Sequence, residues 1–191
     1  MSVFANLDRQ SFVVIDDAFD PQTIASLRAL AVSMAGTMRD AGVGRGTATM
    51  AKSIRSDRIV WLESSEVLPP VRAYFERIHE FRIAINRQYF LGADEIEAHF
   101  SHYPPGAHYS RHLDRFRDDD ARVISTVLYL NPDWTPGDGG ELRLYPVDAE
   151  RIDIEPIAGR LILFLSAELE HEVLPTRVDR YSIAGWMRRR R

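Results

Sequence analysis

The stretch "HYSRHLDRF", His108 to Phe116, places two histidines, an aspartate and two arginines within nine residues. Pro104, Pro105 and Gly106 precede it, and the acidic run Asp118, Asp119 and Asp120 follows. In an extended chain His112 and Asp114 project to the same side with Cα atoms about 7 Å apart. From there an imidazole and a carboxylate can converge on one metal ion. Taken alone the spacing is weak, because a chain with 28 acidic residues produces H-x-D by chance. A polar loop explains it equally well.

The C-terminal stretch "LILFLSAELEHEVLPTRVDRYSIAGW" adds weight to the metal reading. It offers His171 after an apolar segment and Arg180 nine residues later. Arg180, Ser182, Ala184 and Trp186 alternate with Tyr181, Ile183 and Gly185, so one strand face carries a cation, a hydroxyl and an indole. A cation pointing inward there requires an anionic partner. Two imidazoles and one carboxylate make a facial triad suited to non-haem Fe(II), with three coordination positions open. A bidentate 2-oxo acid and O₂ would fill them, and a guanidinium fork would hold the acid's distal carboxylate.

Three of the other histidines read differently. His79 falls in a helical pattern, as a structural or exposed residue. His99 and His102 are three apart on a candidate strand, hence on opposite faces, and are not expected to share a metal.

These groups must be positioned by a scaffold, and its elements are legible. "SFVVIDDAF" reads as a short buried strand closed by Asp16 and Asp17. Asp20 is an N-cap and Pro21 a first helical residue, and Ile24, Leu27, Leu30 and Met34 continue a helix to about Gly36. A second helix is expected over 66–80, with Val71, Phe75 and Ile78 near one face. From Ile96 on, "IEAHFSHY", "RVISTVLYL", "ELRLY", "RLILFL" and "RYSIAGWM" read as short strands separated by Pro, Gly and Asp turns. Helices followed by strands predict an α+β chain, a sandwich or barrel buttressed by helices. Gly42, Gly44 and Gly46 fit neither a dinucleotide fingerprint nor a phosphate-binding loop, and read as a surface loop. Asp118 to Asp120 reads as a solvated turn, with a hard-cation site as the alternative.

Composition narrows the classes. With 191 residues and 45% hydrophobic content the chain can form one domain with a substantial core. It has no cysteine, which excludes disulfides, zinc–thiolate clusters and thiol nucleophiles. A cytoplasmic location without a secretory signal is expected, and no apolar run suits a membrane span. The net charge of −4 and a pI near 5.9 argue against a nucleic-acid partner. The run Arg188 to Arg191 reads as a solvated tail.

Four segments in order carry a resemblance. They are "IRSDRIVWL", "HYPPGAHYSRHLD", "LYLNPDW…GGELRLYP" and "HEVLPTRVDRYSIAGW". Together they resemble the Fe(II)/2-oxoglutarate-dependent dioxygenases of the prolyl 4-hydroxylase family, nearest the oxygen-sensing prolyl hydroxylases and their bacterial relatives. The resemblance covers most of the chain. It implies a double-stranded β-helix (jelly roll) with N-terminal helices packed on the larger sheet. The chain would be one catalytic domain over 1–191, with helical support over about 1–95 and the jelly-roll core over about 96–187.

The same resemblance implies His112, Asp114 and His171 as iron ligands. Arg180 would pair with the 5-carboxylate of 2-oxoglutarate, and Tyr129 would hydrogen-bond it. Ser182 would line the same cosubstrate site, and Tyr103 and Trp186 would line the pocket near the metal. For Tyr103, Tyr129 and Trp186, ordinary core packing is the competing reading. Tyr129 is expected to share its face with Val123, Ser125 and Val127. Arg122 would stand at the substrate entrance, with a plain surface charge as the alternative, and the loop Gly42 to Arg55 would fold over a bound peptide. Fe(II), 2-oxoglutarate and O₂ are the implied cofactors, with ascorbate a candidate reductant. Nucleic-acid demethylases of the superfamily carry a second arginine six residues after the first, where this chain has Trp186. The implied reaction is hydroxylation of a prolyl residue in a protein or peptide by a monomeric enzyme, with release of succinate and CO₂. Hydroxylation of a free amino acid, a non-catalytic 2-oxoglutarate sensor and a zinc hydrolase remain the alternatives.

Overall fold

The first helix begins where its cap dictates. Asp20 holds extended backbone, its carboxylate accepts from the Thr23 N–H at 2.9 Å, and Pro21 opens the helix. In the computed structural model, which describes residues 4, 7–42, 53–63, 68–115 and 121–190, one short helical turn and one short strand precede it. These are α1 (Leu7–Gln10) and β1 (Phe12–Ile15), and the capped helix is α2 (Pro21–Met34). It stops two residues short of Gly36. The next strands are β2 (Arg39–Asp40) and β3 (Arg58–Leu62).

Helix α3 (Pro69–Tyr89) runs nine residues beyond the expected end at 80. The polar residues Arg82, Asn86 and Arg87 dilute the pattern there, yet Phe81 and Ile85 continue the buried stripe of Val71, Tyr74, Phe75 and Ile78. Phe90 ends the helix in the left-handed region, its N–H bonding the Asn86 carbonyl at 2.9 Å. No described helix is long and apolar enough to cross a membrane.

Eight further strands follow: β4 (Glu95–Tyr103), β5 (Tyr109–His112), β6 (Arg122–Tyr129), β7 (Leu142–Tyr145), β8 (Ile152–Ile154), β9 (Leu161–Leu165), β10 (Glu170–Val173) and β11 (Arg180–Arg188). They form a seven-stranded sheet, β1-β9-β6-β11-β4-β3-β2, facing a four-stranded sheet, β5-β10-β7-β8. Strands β4 to β11 pass back and forth between the two sheets, with β7 and β8 forming a hairpin within the small one, which is the double-stranded β-helix. The N-terminal third contributes more than helices, because β1, β2 and β3 extend the large sheet at both edges.

Period-two alternation divides the core. Tyr181, Ile183 and Met187 of β11, with Leu161 and Leu163 of β9, join residues of α2 and α3 in one cluster. Tyr103, Tyr129, Ile162 and Phe164 face Leu142, Leu144 and Val173 of the small sheet in the other. His99 and His102 fall on opposite faces of β4, as their spacing requires.

Two expectations are corrected. Val123 does not share the face of Ser125, Val127 and Tyr129. The β6–β11 register steps from Met187↔Ile124 to Arg188↔Arg122, so Val123 is the extra residue of a bulge and packs with the helix-side core. The terminal arginines are a solvated tail only in part, since Arg190 is largely exposed and Arg191 lies outside the described residues while the run before them is anchored. Arg188 pairs with Glu97 at 2.9 Å, Arg189 donates to the Leu91 carbonyl at 2.9 Å, and Arg190 lies 3.9 Å from Glu95.

Gly185 lets β11 lie close against its neighbours, since a Cβ there would meet the Glu97 carbonyl oxygen at 2.9 Å and Thr126 Oγ1 at 3.0 Å. Gly185→Val is expected to cost about 1–3 kcal/mol through overpacking. A thermal melt should show roughly 2–4 °C lost per kcal/mol at this chain length.

Candidate active site

The small sheet supplies the two imidazoles. His112 on β5 and His171 on β10 are direct register partners, with ring centroids 4.3 Å apart. Asp114 follows β5 by two residues, and its carboxylate lies 3.5 Å from His112 Nε2 and 3.7 Å from His171 Nε2. Ligand atoms of the three residues all lie within 4.8 Å of one another, close enough to share a metal ion.

Each group is held in the state a ligand needs. His112 Nδ1 lies 2.8 Å from the Ser110 carbonyl and His171 Nδ1 lies 3.1 Å from the Leu169 carbonyl. Both Nδ1 atoms therefore carry hydrogen, which leaves Nε2 with its lone pair toward the carboxylate. Burial pushes His171 down to about 4 against the opposing pull of Asp114, so the ring is neutral at physiological pH. Burial alone would raise Asp114, but the neighbouring His171 and His112 and the Ser125 hydroxyl together hold it well below the usual carboxylate range. Ser125 Oγ donates to Asp114 at 2.6 Å and lies 2.9 Å from Ser166 Oγ. Two imidazole nitrogens and an ionised carboxylate form the donor set expected for Fe(II).

Beyond the triad lies a narrow chamber with Arg180 in its wall. Arg180 is 1% exposed. Its Nε donates to the Gly140 carbonyl at 2.8 Å and Nη1 reaches Ser182 Oγ at 3.4 Å. The guanidinium carbon sits 4.9 Å from the Tyr103 ring centroid and 5.0 Å from that of Tyr129. None of the ion pairs among the described residues reaches it. A buried cation with no carboxylate is an anion seat. The Tyr129 hydroxyl is buried with no hydrogen-bond partner among the described residues, and burial pushes it up to about 12 against the pull of Arg180, so it remains a donor. Gly140 has φ +70-type geometry (72°), and a Cβ there would stand 3.0 Å from Arg180 Cδ. Glycine therefore preserves the guanidinium's seat.

On the other side of the triad lies a groove walled partly by Ile59, Trp61, Leu113 and Arg122. Arg122 is not a plain surface charge. It bonds Glu97 at 2.8 Å and lies 3.6 Å over the Trp186 ring. The structure thus brings His112, Asp114, His171, Tyr103, Arg180, Ser182 and Trp186 together around one chamber, with Tyr129 beside Arg180 but outside the chamber's lining and Arg122 at the groove. The expected lid falls mainly on 43–52, outside the described residues, as does the run Asp118 to Asp120. At its end, Arg55 pairs with the buried Asp57 at 2.5 Å and lies 4.7 Å over the Tyr109 ring. Tyr109 in turn stacks on His112 at 3.6 Å.

Sequence reasoning missed Ser125, Asp57, Tyr109 and His99. Tyr109 and His112 are three apart, which on a regular strand means opposite faces. The register shift on β10 between His171 and Val173, which pair with His112 and Tyr109, breaks that regularity.

Residues 98–188 match the 2OG-Fe(II) oxygenase superfamily. A prolyl-4-hydroxylase from Pseudomonas putida is 39% identical, with 99% of this chain and 98% of that one covered and a TM-score of 0.90. The chain belongs to the 2OG-Fe(II) prolyl hydroxylase family. Members of that family use Fe(II), 2-oxoglutarate and O₂, and the triad fits the metal. A prolyl hydroxylase from Trichoplax adhaerens, solved with a hypoxia inducible factor peptide fragment, is 27% identical over 96% of this chain and 86% of that one, with a TM-score of 0.83. Human Egl nine homolog 1 is 29% identical over 94% of this chain and 44% of that protein. The chain spans about half the length of the curated relatives it matches.

Two outcomes follow for this family member. Alanine at His112, Asp114 or His171 should abolish stoichiometric Fe(II) binding, measured by metal titration. Ser125→Ala should weaken that binding by about 10- to 100-fold, because the Asp114 oxygen loses its orienting donor. In titrations of 2-oxoglutarate into Mn(II)-loaded protein, Arg180→Ala should raise Kd at least about a hundredfold, since a buried carboxylate loses its cation. Tyr129→Phe should cost less, about 1.5–3 kcal/mol. A larger loss for Tyr129→Phe than for Arg180→Ala would reverse the two roles.

Proposed function

We propose that this protein hydroxylates a prolyl residue within a protein or peptide, consuming 2-oxoglutarate and O₂ and releasing succinate and CO₂. One observation carries the reading. The triad stands between a chamber whose wall holds a buried cation with no carboxylate partner among the described residues and a groove that takes in Ile59, Trp61 and Leu113. The chamber suits a small dianion, and the groove suits a chain. His112, Asp114 and His171 would hold the iron. Arg180 would clamp the far carboxylate of 2-oxoglutarate with Tyr129 donating beside it, and Tyr103 and Ser182 would complete the walls.

When bound, the metal and cosubstrate supply the oxidative decarboxylation and the oxygen atom placed on carbon. The chain's own residues supply geometry. The fixed Nδ1–H bonds orient both imidazoles, and Ser125 orients the carboxylate. Arg180 and Tyr129 offer a planar, charge-assisted seat that fixes the cosubstrate's direction. The apolar walls Val127, Leu142 and Val173 keep water from the chamber.

The groove supports a polypeptide rather than a free amino acid. Ile59, Trp61 and Leu113 give it the partly apolar lining that an extended chain can bury. The likeness to the Pseudomonas putida and Trichoplax adhaerens prolyl hydroxylases supports proline as the target. Arg122, stacked on Trp186 at the groove, would contact the substrate.

The purified protein with Fe(II) and 2-oxoglutarate should form succinate in step with hydroxylation of a prolyl peptide. Comparing cells with and without the enzyme by mass spectrometry should reveal peptides heavier by one oxygen on proline. Robust conversion of free proline, with no modified peptide, would replace this reading by the amino-acid one.

A further inference from the structure

Six residues line both the chamber and the groove and mark the throat between them: Arg55, His99, Tyr109, His112, Asp114 and Trp186. Arg55 is paired with Asp57, Tyr109 stacks on His112, Trp186 lies under Arg122, and His112 and Asp114 belong to the triad. His99 has no such duty, yet it is a polar ring at 1% exposure. An apolar side chain would fill the same space without the cost of burying ring nitrogens.

The surroundings of the ring fix what it can offer. Nδ1 lies 3.3 Å from the Phe100 carbonyl, which can only accept, and 3.1 Å from Ser101 Oγ. The hydrogen is therefore on Nδ1, and Nε2 of the neutral ring carries a bare lone pair. Burial, followed by the charge of Arg55, pushes the ring down to about 4, so that lone pair stays unprotonated at physiological pH. Nε2 has no hydrogen-bond partner among the described residues and is not a sealed atom, so it remains open to the throat. Trp61 and Trp186 pack against the ring, with centroids 5.0 and 5.5 Å away, and hold it in place. The throat thus presents a fixed acceptor that lacks a donor.

A target prolyl residue cannot supply that donor, because it has no backbone N–H. The nearest backbone donor on its C-terminal side is the N–H of the residue that follows. We propose that His99 is a specificity-determining residue, whose Nε2 accepts the backbone N–H immediately after the target proline. This rests on the prolyl reading above and narrows its substrate class. A proline at a chain's C-terminus, or one followed by a second proline, lacks that N–H and would leave Nε2 unanswered on filling the throat.

The prolyl peptide identified by mass spectrometry is the probe. Replacing the amide after its target proline by an ester removes the N–H and should raise KM roughly fivefold for the wild-type protein. His99→Leu should raise KM for the unmodified peptide by a similar factor, with a smaller change in kcat, and should lose almost nothing more with the ester. His99→Gln, whose Oε1 can stand in for Nε2 as acceptor, should keep KM within about twofold of the wild-type value and retain the ester penalty. No ester penalty in the wild-type protein, the same penalty in the His99→Leu protein, or equal losses in the Leu and Gln variants would overturn the inference and leave the prolyl reading standing. Failure of the wild-type protein to hydroxylate any prolyl peptide would overturn that reading and this inference together.

Discussion

A guanidinium sealed inside a sandwich, with no carboxylate beside it among the described residues, is the constraint around which the site is built. Removing a cation from water is unfavourable by several kcal/mol unless opposite charge or hydrogen bonds answer it. Arg180 receives partial answers: the Gly140 carbonyl, the Ser182 hydroxyl and the faces of Tyr103 and Tyr129. None of these carries a negative charge. The protein holds the guanidinium there through the backbone ladder of β11, and in the proposed function the remaining electrostatic demand would be met by a ligand carboxylate. Catalytic preorganisation of this kind sets the charge in place before the ligand arrives.

The rest of the sandwich keeps that cation in register with the metal site. Strand β11 is hydrogen-bonded on both sides, to β4 and β6, so its alternation is fixed along its whole length. One face gives Tyr181, Ile183 and Met187 to the helices, and the other gives Arg180, Ser182 and Trp186 to the chamber and throat. A slip of one residue would exchange the two sets and put a guanidinium into the helix-side core. Gly185 and Ala184 leave room for the close approach of β4 and for the aromatic cluster of Trp61, His99 and Trp186.

The triad sits on the opposite sheet, so the site is assembled across the sandwich. Strands β5 and β10 bring the imidazoles together, while Ser125 on β6 of the large sheet fixes Asp114. The segment before β3 ties the sheets at the rim, where Ser56 N–H bonds the His108 carbonyl and Ser110 N–H bonds the Ile54 carbonyl. Through Arg55 and Tyr109, the residues that border the groove touch a metal-binding ring. Changes at the substrate rim are thereby mechanically close to the metal.

Much of this was legible in the chain. The apolar alternation of β9 and β11, the Asp20–Pro21 helix start and the H-x-D pair are local, periodic signals set by side-chain geometry. The resemblance of four ordered segments then named the three ligands and Arg180. Other features are not local. The bulge at Val123 comes from pairing with β11, and the stacking of Tyr109 on His112 comes from irregular pairing with β10. The length of α3 was underestimated because burial against the sheet outweighs the polar residues near its end. The terminal arginines looked solvated because Glu95, Glu97 and the Leu91 carbonyl meet them only after β4 and β11 pair. By itself the sequence determined which residues can carry charge, ligate metal or alternate. Tertiary structure alone decided which of them face one another, because register and bulges are properties of two strands and not of either one.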